Sequence, residues 1–224
     1  RLPPALSPPP PPRHPLTLGP RAAMAGESAY AGLARDGRGH SSWFLARTNK
    51  EHQATMDHPF MKSIYARTFD TDAYVAYLRA QLSIFSELER LCALQRAAAP
   101  LAAVHDEALH RADALRADLG FWAGHARGAP APAAAEARYL ERLRQDSADP
   151  WLLLCHHFLN YNAVLSGGQF LGSMVSSRAG VDPPVGVEFF RFPPSCEPVR
   201  DRVLQYLDSM DGLQIPEQRR GPML

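Results

Sequence analysis

A chain of 224 residues with 24 lysines and arginines, 23 acids and a net charge of +1 can enclose one sizeable core with a ligand pocket, and it offers no surplus charge for nucleic acid or an anionic membrane. Its three cysteines, Cys92, Cys155 and Cys196, are widely spaced with no C-x-x-C pair, which argues against a disulfide framework or zinc site and for a reducing compartment. No run of 18 apolar residues occurs, so these residues encode no transmembrane anchor.

The first 26 residues hold nine prolines, three arginines and no acid. Residues 1–40 are therefore expected to be a disordered proline-rich tail. A basic, acid-free stretch also suits the end of a transit peptide over residues 1–23, which would place the protein in a plastid or another organelle; if Met24 is the true start, the protein is cytoplasmic.

From residue 41 the apolar spacing is helical almost throughout, and the pattern predicts a single all-α domain, a multi-helix bundle over residues 41–216, with residues 217–224 as a flexible C-terminal tail. Ser41 and Ser42 are candidate caps of a first helix ending near Met56. Pro59 opens a short second helix to about Phe69. Thr71 caps a long third one, in which Tyr74, Leu78, Leu82, Phe85, Leu88 and Cys92 recur every three or four residues. Pro100 breaks it, and a fourth helix runs through Leu109, Leu115, Leu119 and Trp122 to Gly124. A fifth carries Tyr139, Leu140 and Leu143. Asp149 and Pro150 form a cap and first-turn pair for a sixth, from Trp151 to about Arg178. Pro198 starts a last amphipathic helix with Val199, Val203, Leu204 and Leu207.

The sixth helix contains "LSGGQ" at 165–169, which resembles the signature of ABC-type ATPases. Such a site needs a phosphate loop ending in Gly-Lys, and the two lysines, Lys50 and Lys62, follow Asn and Met, so the ATPase reading fails. Gly167 and Gly168 each cost about 1 kcal/mol relative to alanine in a helix interior. Ala163, Ser166, Gly167, Gly168, Gly172 and Ser173 form a small-residue surface, against which either another helix packs or a flat ligand lies. His52, on the face of Leu45, Thr48 and Met56, reads by itself as a hydrogen-bonded core histidine; paired with a bared glycine helix, a neutral imidazole facing a flat cavity is what five-coordinate haem requires.

Four blocks in order resemble the haem oxygenase family: "NKEHQATMDHPFM", "LHRADALRADLGFWAG", "CHHFLNYNAVLSGGQFLG", and "EFFRFP" followed by "SMDGLQIP". They span about residues 42–216. The resemblance implies an all-α haem-oxygenase-like bundle that opens haem to biliverdin with release of CO and ferrous iron. It implies O2 and electrons from a ferredoxin or flavoprotein reductase, and a monomer. His52 would be the iron ligand. Gly167 and Gly168 would press the helix on the haem face, with Phe158, Ser166, Phe189 and Phe190 shaping the pocket.

The family's distal aspartate corresponds to Val164, so Asn160, His156 or Asn162 is expected to hold the distal water instead. The glutamate four residues after the axial histidine corresponds to Met56, with Asp57 one place off. The propionate-binding Lys and Arg correspond to Val203 and Leu207, leaving Arg47, Arg200 and Arg202 as alternatives. Two readings follow: a divergent haem oxygenase, favoured because His52 and both glycines are kept, and a haem-binding sensor, carrier or peroxidase-like relative lacking the distal carboxylate. His58, His105, His110, His125 and His157 are expected at the surface, and Tyr65, Tyr74 and Tyr139 as core or surface aromatics.

Overall fold

A computed structural model describes residues 39–128 and 134–220. The expectations for the proline-rich segment before residue 39 and for residues 221–224 lie outside the described residues. The elements are α1 (His40–Asp57), α2 (Pro59–Tyr65), α3 (Thr71–Leu94), α4 (Ala99–Ala102), α5 (Ala112–Trp122), α6 (Ala134–Asp146), α7 (Pro150–Ala179), α8 (Val199–Asp211) and α9 (Glu217–Arg220), with short 3-10 turns at Glu107–Leu109, Glu188–Phe190 and Pro194–Cys196. The described residues contain no strand, and the all-α expectation holds.

The central helix is α7, against which α2, α3, α4, α6, α8 and the 188–190 turn pack. Its ends are written in the sequence. Asp149 accepts the Trp151 amide, Pro150 occupies the first turn, and Gly180 ends the helix at φ 66, a left-handed geometry that glycine adopts without a Cβ penalty. Leu153, Leu154, Phe158, Tyr161 and Leu165 are buried on it, as its nearly continuous apolar run predicts.

Several boundaries differ from the sequence expectation. Ser41 does not cap α1: it lies inside the helix, its amide and hydroxyl both held by the Asp211 carboxylate at 2.7 and 3.1 Å. His40 bonds the Leu213 carbonyl, so the start of α1 is fastened to the end of α8. The cap of α3 is Asp70, which accepts the Ala73 amide, rather than Thr71. Helix α2 ends at Tyr65, short of Phe69, because Arg67 takes φ 57 and the Thr68 and Arg67 amides return to Ser63 and Ile64. That bond pair is a Schellman closure with arginine where glycine is usual.

The long third helix stops at Gln95, whose side chain bonds the Ser147 carbonyl, five residues before Pro100. The expected fourth helix is three pieces: α4, the 107–109 turn, which Asp106 caps, and α5. Glu217–Arg220, where a tail was expected, form a helical turn, and Arg219 pairs with Asp149. His157 is not a surface residue. It is 3% exposed, with Nδ1 2.8 Å from the Tyr206 hydroxyl on α8.

Candidate functional site

Helices α1 and α7 are bridged at two levels. At one, the Phe44 ring lies 5.2 Å from Phe158, which stacks in turn on Tyr206. At the other, the Tyr65 hydroxyl of α2 donates to Met56 Sδ on α1 at 3.1 Å, and the Tyr65 ring meets Phe170 on α7 at 5.9 Å. Phe44 to Met56 and Phe158 to Phe170 are each twelve residues, about 18 Å of helix. Counted from the Phe44–Phe158 contact, His52 and Ser166 each lie eight residues along their own helix, and Gly167 one further.

The exposure pattern describes what lies between the bridges. Phe44 is buried, whereas Thr48, His52 and Met56 are only half-buried. On α7 the burial opens in the same way at Ala163 and Gly167, and Phe170 is 56% exposed. A Cβ placed on Gly167 would meet nothing within 4 Å. Half-buried His52 on α1 and the open backbone of Gly167 on α7 define the candidate cleft.

The other glycines of the small-residue surface have a different neighbour. A Cβ on Gly168 would meet Val164 Cγ1 at 3.2 Å and Phe190 at 3.5 Å, and one on Gly172 would meet Phe190 Cβ at 3.0 Å. The packing reading therefore applies to Gly168 and Gly172, and open space is left at Gly167. Phe190 is held there by Asp118 of α5, whose two oxygens accept the Glu188 and Phe189 amides at 2.7 and 2.8 Å. Trp122 donates to the Gly186 carbonyl, and Arg111 donates to the Arg191 carbonyl while lying over the Phe192 ring. Asp118 is fully buried. Burial pushes its carboxyl up to about 6, against the pull of the two amides that hold it.

The polar candidates on α7 face another helix. His156 Nδ1 lies 3.0 Å from the Tyr139 hydroxyl, and its Nε2 lies 3.0 Å from Asp146, both on α6. Asn160 Nδ2 donates to the Tyr139 hydroxyl and to the His156 carbonyl, each at 2.8 Å. Ser166 donates to Asn162. Val164 is 7% exposed and belongs to the core. On α8, Val203 and Leu207 are buried. Arg202 pairs with Asp106, and Arg47 lies 5.9 Å over the Trp43 ring.

The family model described as Heme oxygenase matches residues 42–223. The chain belongs to the haem oxygenase family. It is 25% identical over 147 residues to the heme oxygenase of Guillardia theta, covering 65% of this chain and 62% of that protein. With heme oxygenase 1 of Homo sapiens it shares 28% over 174 residues, 75% and 59% of the two lengths. It thus spans about three fifths of these relatives. Among solved structures, heme oxygenase from Leptospira interrogans superposes with a TM-score of 0.75 at 24% identity over 82% of this chain and 90% of that one. Heme oxygenase-1 from the cyanobacterium Synechocystis, solved in complex with heme, gives 0.73 at 23% over 82% and 83%. These likenesses show the haem oxygenase fold.

In this haem oxygenase fold, two features of the candidate cleft and its support escaped the sequence. Tyr65 and Phe170 form its second bridge, and nothing in their spacing distinguishes a cleft edge from ordinary packing. Asp118 did leave a signal. It shares a helix face with Leu115, Leu119 and Trp122, and an acid on an apolar face marks a buried acceptor. No described helix is long and apolar enough to cross a membrane.

Proposed function

We propose that the chain binds haem between α1 and α7 and, with O2 and electrons from a ferredoxin or reductase, opens it to biliverdin with release of CO and ferrous iron. The observation that supports this reading is the open space at the Gly167 backbone of α7, together with a half-buried His52 on α1 and ring contacts that link α1 and α2 to α7. The open space within 4 Å of a Gly167 Cβ position would let a planar ligand approach the α7 backbone. His52 would ligate the iron. Gly167 and Ala163 would let the α7 backbone approach one face, Ser166 would border it, and Phe158 would support one end. Haem itself supplies the oxygen chemistry, and the protein supplies orientation, exclusion of water and protons.

Proton supply is where this chain departs from its family's pattern. Val164 carries no proton and anchors no water. His156 and Asn160 are engaged with Tyr139 and Asp146, which favours a second reading, haem binding with peroxidase-like or sensing behaviour in place of ring opening. The two are separated by mixing the purified chain with haemin, recording the visible spectrum, and adding ascorbate or a ferredoxin system under air. A Soret band that decays into biliverdin absorbance supports ring opening. A stable Soret band rules ring opening out and leaves haem binding, and no Soret band rules out both.

A further inference from the structure

The hydrogen bonds around Tyr139 have one consistent direction. Asn160 Nδ2 touches the His156 carbonyl, which only accepts, so the amide nitrogen is fixed there, and its second hydrogen goes to the Tyr139 oxygen. With His156 neutral and Nδ1 unprotonated, the Tyr139 hydroxyl donates to that nitrogen at 3.0 Å. A neutral His156 then carries its proton on Nε2, which donates to Asp146 Oδ2 at 3.0 Å. Burial works to raise the Asp146 carboxyl, but the bonds from Arg142 and His156 outweigh it and hold the group below its ordinary value. Asp146 therefore stays ionised behind the imidazole, the relation that fixes a histidine tautomer and stabilises its cation.

A tyrosine that donates to a neutral histidine backed by a carboxylate has its proton acceptor in place before any electron leaves. The position also matters. Asn160 lies seven residues before Gly167, two turns along the same face of α7, about 10 Å of rise. Tyr139, bonded to Asn160, thus sits at the α6–α7 contact about two turns of α7 from Gly167.

We propose that Tyr139 is a redox-active tyrosine that reduces an oxidised ligand in this cleft. The step rests on the haem reading, and its oxidant is hydrogen peroxide, which bound haem would activate; two electrons and two protons, delivered one pair at a time, reduce each peroxide to two waters. One electron passes from Tyr139 to that oxidant and the phenolic O–H bond breaks. The proton moves to His156 Nδ1, leaving a neutral tyrosyl radical beside an imidazolium paired with Asp146. An external one-electron donor then returns the electron, and the proton goes back from His156. The role suits a member of this fold whose Val164 cannot organise protons for ring opening, and it gives the peroxidase-like behaviour a physical basis.

The test is paramagnetic resonance on the full chain loaded with haem, frozen within a second of adding hydrogen peroxide. The expected result is a tyrosyl signal in the wild type, its loss in Tyr139→Phe at an unchanged Soret band, and slower formation in His156→Gln with a shifted pH profile. No tyrosyl signal in the wild type, or an undiminished one in Tyr139→Phe, overturns the proposal. Absence of any Soret band overturns the haem reading separately. In that event the haem-free protein, oxidised by a photogenerated ruthenium(III) complex, still tests the tyrosine: Tyr139→Phe must lower the radical yield, and equal yields overturn its assignment.

Discussion

The Phe44 ring of α1 meets the Phe158 ring of α7 at 5.2 Å, and this contact joins the two helices that carry the candidate site. Eight residues further along α1 comes His52, and nine further along α7 comes Gly167. Met56 is linked, through Tyr65, to Phe170. The expected function depends on the space between these bridges, and each bridge and each wall makes a separate prediction.

Phe170 is 56% exposed yet lies against Tyr65 at the cleft edge. An aromatic ring left that open is expected to be covered by the ligand. Phe170→Ala should therefore change stability by less than about 1 kcal/mol, since little area is lost from the core, and should raise the rate at which haem transfers to a scavenging globin. An unchanged transfer rate would remove Phe170 from the binding surface.

The glycines should behave in opposite ways. Gly167→Ala finds open space and should stabilise the haem-free protein by up to about 1 kcal/mol through helix propensity, while weakening haem binding. Gly172→Ala drives a methyl against Phe190 Cβ at 3.0 Å. Phe190 cannot retreat easily, because Asp118 anchors its segment. Overpacking of this kind costs about 1–3 kcal/mol. Denaturant unfolding of the two variants without haem measures both, and a shift of the same sign in each would refute the assignment of open and filled glycines.

His157 gives the stability a pH dependence. Burial first, then the nearby His105 and His110, push its pKa from 6.5 down to about 3, while Tyr206 holds it at the α7–α8 contact. The folded chain keeps the ring neutral and the unfolded chain protonates it below 6.5. The stabilisation is thus intact above pH 6.5 and is lost as pH falls toward 3, at up to about 1.4 kcal/mol per unit. Between pH 7 and 5, wild type should lose roughly 2 kcal/mol more than His157→Gln, as read from urea midpoints. Equal losses would mean that His157 is not held neutral.

Val164 stands in the core where the family resemblance places an aspartate. Val164→Asp buries a carboxylate and should cost about 2–4 kcal/mol of stability. If proton supply limits ring opening, the same change should raise the biliverdin rate by about a hundredfold, the low end of what a positioned acid or base contributes. A destabilised variant with an unchanged rate would place the limit elsewhere.

Much of this arrangement could be read from the residues. Asp149, Pro150 and the apolar run after them announced α7. What the sequence hid was the division of labour between glycines, because Gly167 and Gly168 look alike until Phe190 is placed over one of them by a segment 20 residues away. Arg67 concealed the end of α2 by taking a left-handed turn without glycine. His157 shares a face with Leu153 and Tyr161, a sign of burial, but its partner Tyr206 lies 49 residues on. Asn160 and His156 were readable as polar groups on the Gly167 face. That they spend their bonds on Tyr139 and Asp146 depended on where α6 docks, which no local pattern records.

The most direct test of the central claim is a haemin titration of the full chain beside His52→Ala, followed by its visible spectrum. A saturable Soret band with the imidazole-ligated spectrum in wild type, lost or shifted in His52→Ala and restored by added imidazole, is the predicted result. A wild-type chain that gives no such band, or a band indifferent to His52, would contradict a haem site between α1 and α7.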